Sequence, residues 1–189
     1  QQLVLELRDV RPGDLVEYAY TRRGENPVFK GHVTLWAEQA ADAPVSLLNF
    51  SLTWLRPAPL HATPRGGAVE PTVTPVPDGT RYAWSLRDVP LLDWEPRTPT
   101  DVVQLPHVVF TDWADWSAVR AWAEPLFAQP AKGEDFDDLV KRLRALPEAE
   151  RAREAVRLVQ DDVRYVGVEL GEHSHQPHAP AWVLERGFG

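Results

Sequence analysis

Apolar and polar residues alternate along the first half of this chain. Leu3, Leu5 and Leu7 alternate with Gln2, Val4, Glu6 and Arg8, and Val16, Tyr18 and Tyr20 alternate with Glu17, Ala19 and Thr21. Successive side chains of a strand point to opposite sheet faces, so each apolar set marks one face. Between the two sets lies Arg11-Pro12-Gly13-Asp14. Proline presets φ and glycine accepts positive φ, which predicts a type II turn with Pro12 and Gly13 at its centre. Val33, Leu35 and Ala37 continue the alternation, against His32, Thr34, Trp36 and Glu38. The clearest strand is Leu48, Phe50, Leu52 and Trp54, ended by Pro57 and Pro59. Val69 to Thr74 contains Pro71, which predicts an edge strand. Tyr82, Trp84 and Leu86 form a last alternating set after an Asp78-Gly79 turn.

Six short strands with regular turns predict an antiparallel β-sandwich of immunoglobulin-like kind over residues 1–90. Prolines at 96, 99 and 106 punctuate residues 91–112, which read as a linker. The period then lengthens. Trp116, Val119, Trp122 and Leu126 fall at helical spacing, with Pro125 placed to bend or end the helix. Phe136, Leu139, Val140, Leu143 and Leu146 form a second helical stripe. Its first turn is acidic (Glu134, Asp135, Asp137, Asp138) and its last turn basic (Lys141, Arg142, Arg144), matching the helix dipole. Pro147 suits the start of a third helix, whose predicted buried stripe is Ala152, Ala155, Val156, Val159 and Val163. Val156 and Val159 are expected to pack on Phe136, Leu139 and Leu143, since a short turn joins the two helices. Arg157 and Asp161 are spaced for an i,i+4 contact. An extended run, Tyr165 to Leu170, and a last helix near Pro180 complete an α+β chain with a helical part over residues 113–189.

Composition changes this picture little. Ile, Met and Cys are absent, and Arg far outnumbers Lys, as a GC-rich genome would produce. Without cysteine there is neither a disulfide nor a thiolate metal site. The net charge of −8 divides as −3 over residues 1–106 and −5 over residues 107–189. Neither half carries the basic footprint of a nucleic-acid partner. No apolar run approaches the ~18 residues that suggest a membrane span. The chain starts at Gln1 without Met, so its natural N-terminus is expected to lie upstream.

Candidate chemistry gathers near the C-terminus. His173, His175 and His178 could supply three imidazoles to zinc. The surrounding Gly171, Ser174, Gln176 and Pro177 read instead as a polar loop, with its histidines beside a groove and no structural metal. Trp113, Trp116 and Trp122 could form a stacking platform for sugars or bases, although their spacing favours the core. The acidic residues 134–138 lack the glycine-centred loop of an EF-hand and read as a helix start. No G-x-S-x-G elbow or Gly-rich phosphate loop occurs. No cofactor is implied.

Several of these runs resemble one family. Arg11-Pro12-Gly13-Asp14-Leu15-Val16-Glu17-Tyr18 is similar to a strand entry of the DUF3857 domain, Asn26-Pro27-Val28-Phe29 to the segment after it, and Ser85 to Pro90 to its closing strand. Trp113 to Phe127 resembles the tryptophan-rich helix that links this domain to a transglutaminase-like core. Val159 to Gly171 resembles the opening of that core and is the most specific match. Pro180 to Gly189 resembles the run that precedes its nucleophilic cysteine. The resemblance implies a fragment of a cysteine-dependent acyl-transfer or amide-hydrolysing protein, ending just before the nucleophile and inert by itself. It implies a protein or peptide substrate and leans toward an exported, periplasmic parent. No catalytic residue lies in this chain; Gln160 and Tyr165 are the candidates to help stabilise an oxyanion. The other reading is a non-catalytic module whose sandwich binds a protein or an envelope polymer.

Overall fold

The computed structural model describes residues 6–93, 95–99, 101–128, 134–167 and 171–189. Among these residues, six strands form two three-stranded antiparallel sheets, and four helices follow, giving an α+β fold. The strands are β1 (Thr34–Glu38), β2 (Val45–Trp54), β3 (His61–Arg65), β4 (Thr72–Val76), β5 (Gly79–Val89) and β6 (His107–Thr111). The first sheet runs β1-β6-β3 and the second β2-β5-β4.

The alternation of β2 and β5 sets their register. Leu48 pairs with Leu86, Phe50 with Trp84 and Leu52 with Tyr82, so the apolar rows of the two strands share one face. That face meets the first sheet at Phe110, which is fully buried. Its ring lies 5.4 Å from Phe50 and 6.3 Å from Trp84, near parallel to both, with Tyr82 edge-on at 5.6 Å. Ala37, Trp54, Leu60 and Val108 complete the core. Burying one such large side chain stabilises by roughly 1.5–3 kcal/mol, so this aromatic stack is the main tie between the sheets.

Two strands escape the alternation rule. β6 lies inside the stretch expected to be a linker, yet it is the central strand of its sheet. Val108 and Phe110 face the second sheet while Val109 and Thr111 are half-buried on the other side, so the run is not amphipathic. β3 reads His-Ala-Thr-Pro-Arg and tolerates Pro64 because it is an edge. The predicted edge strand near Pro71 appears as β4, which begins at Thr72 and holds Pro75.

The two N-terminal strands do not form among the described residues. Leu3 and Leu5 lie outside those residues. Leu7 is 53% exposed, and Leu15, Tyr18 and Tyr20 are exposed at 94%, 76% and 77%. Alternation marks a face, but a strand also requires a ladder, and residues 6–24 pair with none. The predicted turn is present: Gly13 has φ +99° and the Asp14 N–H donates to the Arg11 carbonyl at 3.0 Å.

The helices are α1 (Trp116–Phe127), α2 (Glu134–Arg144), α3 (Glu148–Asp162) and α4 (Pro180–Arg186). Asp115 caps α1 by accepting from the Ala118 N–H at 2.9 Å, and α1 ends two residues after Pro125. The side chains of Glu134 and Asp135 at the start of α2 lie outside the described residues. At its other end, Arg151 of α3 donates to the Arg144 and Leu146 carbonyls, supplying partners that helix geometry leaves missing. The Arg157–Asp161 contact forms at 3.4 Å on an exposed face.

The α2 stripe is half-buried throughout, but the predicted α3 stripe needs correction. Val156 and Val159 are 57% and 53% exposed, Ala152 is exposed, and the half-buried residues are Ala155 and Leu158. The inward face of α3 is therefore the one carrying Ala155 and Leu158, toward α2. An apolar hollow of about 390 Å³ separates the three helices, lined by Phe136, Leu139, Leu143, Leu158, Val183 and Leu184 among others.

Candidate functional site

The chain turns back on itself around a histidine-bearing loop. At its start, Asn26 precedes a short 3-10 turn, Pro27–Phe29, whose first N–H groups are unpaired by the helix. The Asn26 side-chain carbonyl accepts from the Val28 N–H at 3.2 Å, and its amide donates to the Gly171 carbonyl at 2.7 Å and Ser174 Oγ at 2.8 Å. Gly171–Ser174 is itself a 3-10 turn and leads into the histidines. One asparagine therefore caps one turn and holds another from the far end of the chain.

Aromatic rings extend this junction. Trp122 of α1 donates its indole N–H to the Val28 carbonyl at 2.7 Å and stacks on Phe29 at 5.5 Å. His175 meets Phe29 edge-on at 4.7 Å. Trp113 lies 5.6 Å from Trp122 and stacks on His32 at 3.7 Å. His32 Nδ1 is 3.3 Å from Asp112 Oδ1, an oxygen that also accepts from the Val33 N–H at 2.8 Å. Trp113 and Trp122 are thus packed, as expected. Trp116 is not: it is 84% exposed, because the first turn of α1 faces an open groove instead of a neighbouring element.

The three loop histidines do not converge. His175 points to Phe29 and Trp122. His173 donates from Nδ1 to the Gln176 carbonyl at 3.0 Å, and its ring lies 3.8 Å from that of His178. His178 stacks on Trp182 of α4 at 3.9 Å. Among the described residues, no three His, Asp or Glu side chains are grouped so as to hold a metal ion.

The C-terminal end closes this region by a parallel backbone pairing. The Arg164 N–H donates to the Gly187 carbonyl at 2.9 Å, the Gly189 N–H to the Arg164 carbonyl at 3.0 Å, and the Val166 N–H to the Gly189 carbonyl at 2.9 Å. Gly187 makes the turn possible: its φ is +68°, and its N–H returns to the Val183 carbonyl to cap α4. Residues 165–167 belong to no helix or strand, and Val168, Glu169 and Leu170 of the predicted extended run lie outside the described residues.

These elements enclose an open cleft of about 730 Å³. Tyr165, Gly167, His173, His175, His178 and Gly189 are among its walls. Tyr165 is 86% exposed, so its hydroxyl is available to a bound molecule. Gln160 sits on the exposed surface of α3 and is not among the residues that line the cleft. Sequence spacing brought the histidines into view, but nothing local pointed to Asn26 or Phe29. Their partners on the histidine loop lie about 145 residues away (the Asn26–Gly171 separation is 145).

Residues 1–92 match the family model described as a Domain of Unknown Function with solved-structure structure, DUF3857. The fold is similar to the crystal structure of a protein described as a putative protease from Parabacteroides distasonis. The TM-score is 0.66 and the identity 15%, over 84% of this chain. This chain spans 32% of the length of that protein, and at such identity the likeness is one of fold. No curated protein matches the chain.

Proposed function

We propose that this chain is the N-terminal part of a transglutaminase-like, cysteine-dependent protein that cleaves or transfers acyl groups from protein or peptide amides. On this reading the strands are a DUF3857-type, immunoglobulin-like sandwich, and α1 to α4 begin the transglutaminase-like core. The DUF3857 match and the fold likeness to a protein described as a protease support it. The observation that carries it is the position of Gly189. That residue is hydrogen-bonded to Arg164 and Val166 and forms part of the wall of the cleft beside Tyr165. On this reading, a cysteine shortly after Gly189 would border the same cleft.

The chemistry would run as follows. A cysteine thiolate adds to the amide carbonyl carbon, and the carbonyl oxygen takes up the negative charge. The amine leaves with a proton, forming a thioester, and water or a second amine then releases the acyl group. Tyr165 is the side chain of this chain best placed to donate a hydrogen bond to the oxyanion, since it is exposed and lines the cleft. Gln160 would reach the site only if α3 approached the cleft more closely. The histidine loop would bound the substrate groove.

The test is the gene itself and then the longer protein. A cysteine within the first few codons after Gly189 is expected; a stop codon or another residue there overturns the reading. In the longer protein, Tyr165→Phe should lower kcat for amide hydrolysis by about a hundredfold or more, the scale of losing one oxyanion donor. The 189-residue chain, which has no cysteine, should neither hydrolyse an amide nor incorporate an amine.

A further inference from the structure

A second open groove, of about 720 Å³, lies on the other side of His175 and Trp122, between α1 and the outer face of the β1-β6-β3 sheet. Two tryptophans line it without being buried. Trp116 is 84% exposed at the start of α1, and Trp36 is 62% exposed on β1. Trp36 is nevertheless held in place. One face of its indole stacks on His107 at 4.9 Å and 14°. His107 is 6% exposed and donates from Nδ1 to the Leu105 carbonyl at 2.7 Å. The indole therefore lies flat on a sheet, one face fixed and the other open.

The polar lining limits what could rest there. Thr63 contributes a hydroxyl, those of Thr34 and Thr111 bond each other, and Arg65 and Asp115 contribute one charge of each sign. The two charges balance, so neither an anion nor a cation is selected. Hydroxyls, a guanidinium and a carboxylate beside a flat indole suit a neutral molecule with hydroxyl groups at its edge and a C–H surface on its face. A pyranose ring has that form. A proline-rich peptide also docks in aromatic-lined grooves, but it would leave the Arg65 and Asp115 side chains without hydroxyl partners.

We propose that this groove binds a neutral oligosaccharide, with one sugar ring resting on Trp36, Trp116 beside it, and ring hydroxyls reaching Arg65 and Asp115. The site stands apart from the cleft and needs no nucleophile. The rigidity of Trp36 favours binding because little side-chain freedom is lost when the ligand arrives.

The test is calorimetry of the 189-residue chain with tetrasaccharides of β-1,4-linked glucose, xylose and N-acetylglucosamine, and with decaproline. At least one tetrasaccharide should bind with Kd below about 1 mM. Trp36→Ala and Trp116→Ala should each weaken it about tenfold or more, with the thermal midpoint of the Trp116 variant unchanged. Should Trp36→Ala unfold the chain, Trp116→Ala decides alone, since that side chain is exposed. Failure of every tetrasaccharide to bind, binding that survives Trp116→Ala, or binding of decaproline alone would overturn the proposal.

Discussion

Two single residues, Gln39 and Gly79, each fit closely against the backbone of another segment. Gln39 is 5% exposed and uses both ends of its amide on one peptide unit. Nε2 donates to the Val69 carbonyl at 2.8 Å, and Oε1 accepts from the Val69 N–H at 2.7 Å. Gln39→Ala leaves two backbone groups without partners and should cost about 1–3 kcal/mol, read as a lower urea midpoint. Gln39→Glu keeps the acceptor and loses the donor, so it should also destabilise. Gly79 serves by close approach, not by its φ. A Cβ there would run into the Trp54 carbonyl oxygen where β2 ends beside β5. Backbone cannot yield as a side-chain tip can, so Gly79→Ala should destabilise by more than the roughly 1 kcal/mol of a typical substitution. A thermal midpoint equal to that of the unmodified chain would contradict this account.

At the scale of elements, the two sheets and the helices differ in how well they bury their apolar faces. Phe110 is fully buried between the sheets, whereas Leu139 is half-buried beside a hollow of about 390 Å³. Phe110→Ala should cost about 3–5 kcal/mol. Leu139→Ala should fall below the roughly 2–5 kcal/mol of a fully buried leucine, because part of its surface already meets solvent. Chemical denaturation of the two variants checks the order, and equal losses would mean that α2 packs more tightly than its exposure indicates. Val156→Ala should change stability little, since that residue is 57% exposed.

At the scale of the molecule, the first and last parts of the chain meet through Asn26, Phe29, Trp122 and the 171–178 loop. This junction separates the two open hollows, and both are lined by Trp122 and His175. It also divides the histidines, with His175 on the Phe29 side and His173 and His178 on the Trp182 side. Zinc calorimetry at neutral pH should therefore give no stoichiometric, sub-micromolar binding. Tight binding lost on His175→Ala would prove the loop able to gather its three imidazoles. Among the described residues, no helix is long and apolar enough to cross a membrane.

Local pattern determined what local physics controls. Period-two alternation located β1, β2 and β5, proline and glycine located the 11–14 turn, helical spacing located α1 to α3, and Pro180 marked the start of α4. Each follows from side-chain direction and backbone φ within a few residues, which a sequence states directly. Pairing and orientation depend on partners far along the chain. β6 could not be read because burial on both sides removes alternation, and its place between β1 and β3 is a long-range choice. The Val16–Tyr20 run has the pattern of a strand but lacks a ladder here. The inward face of α3 was decided by its packing toward α2, and the exposure of Trp116 by what stands opposite it. The histidines were legible as a cluster by spacing, but tertiary packing against Phe29 and Trp182 sent them in separate directions. Sequence fixes which faces are apolar; only the fold decides what covers them, because burial is a property of neighbours.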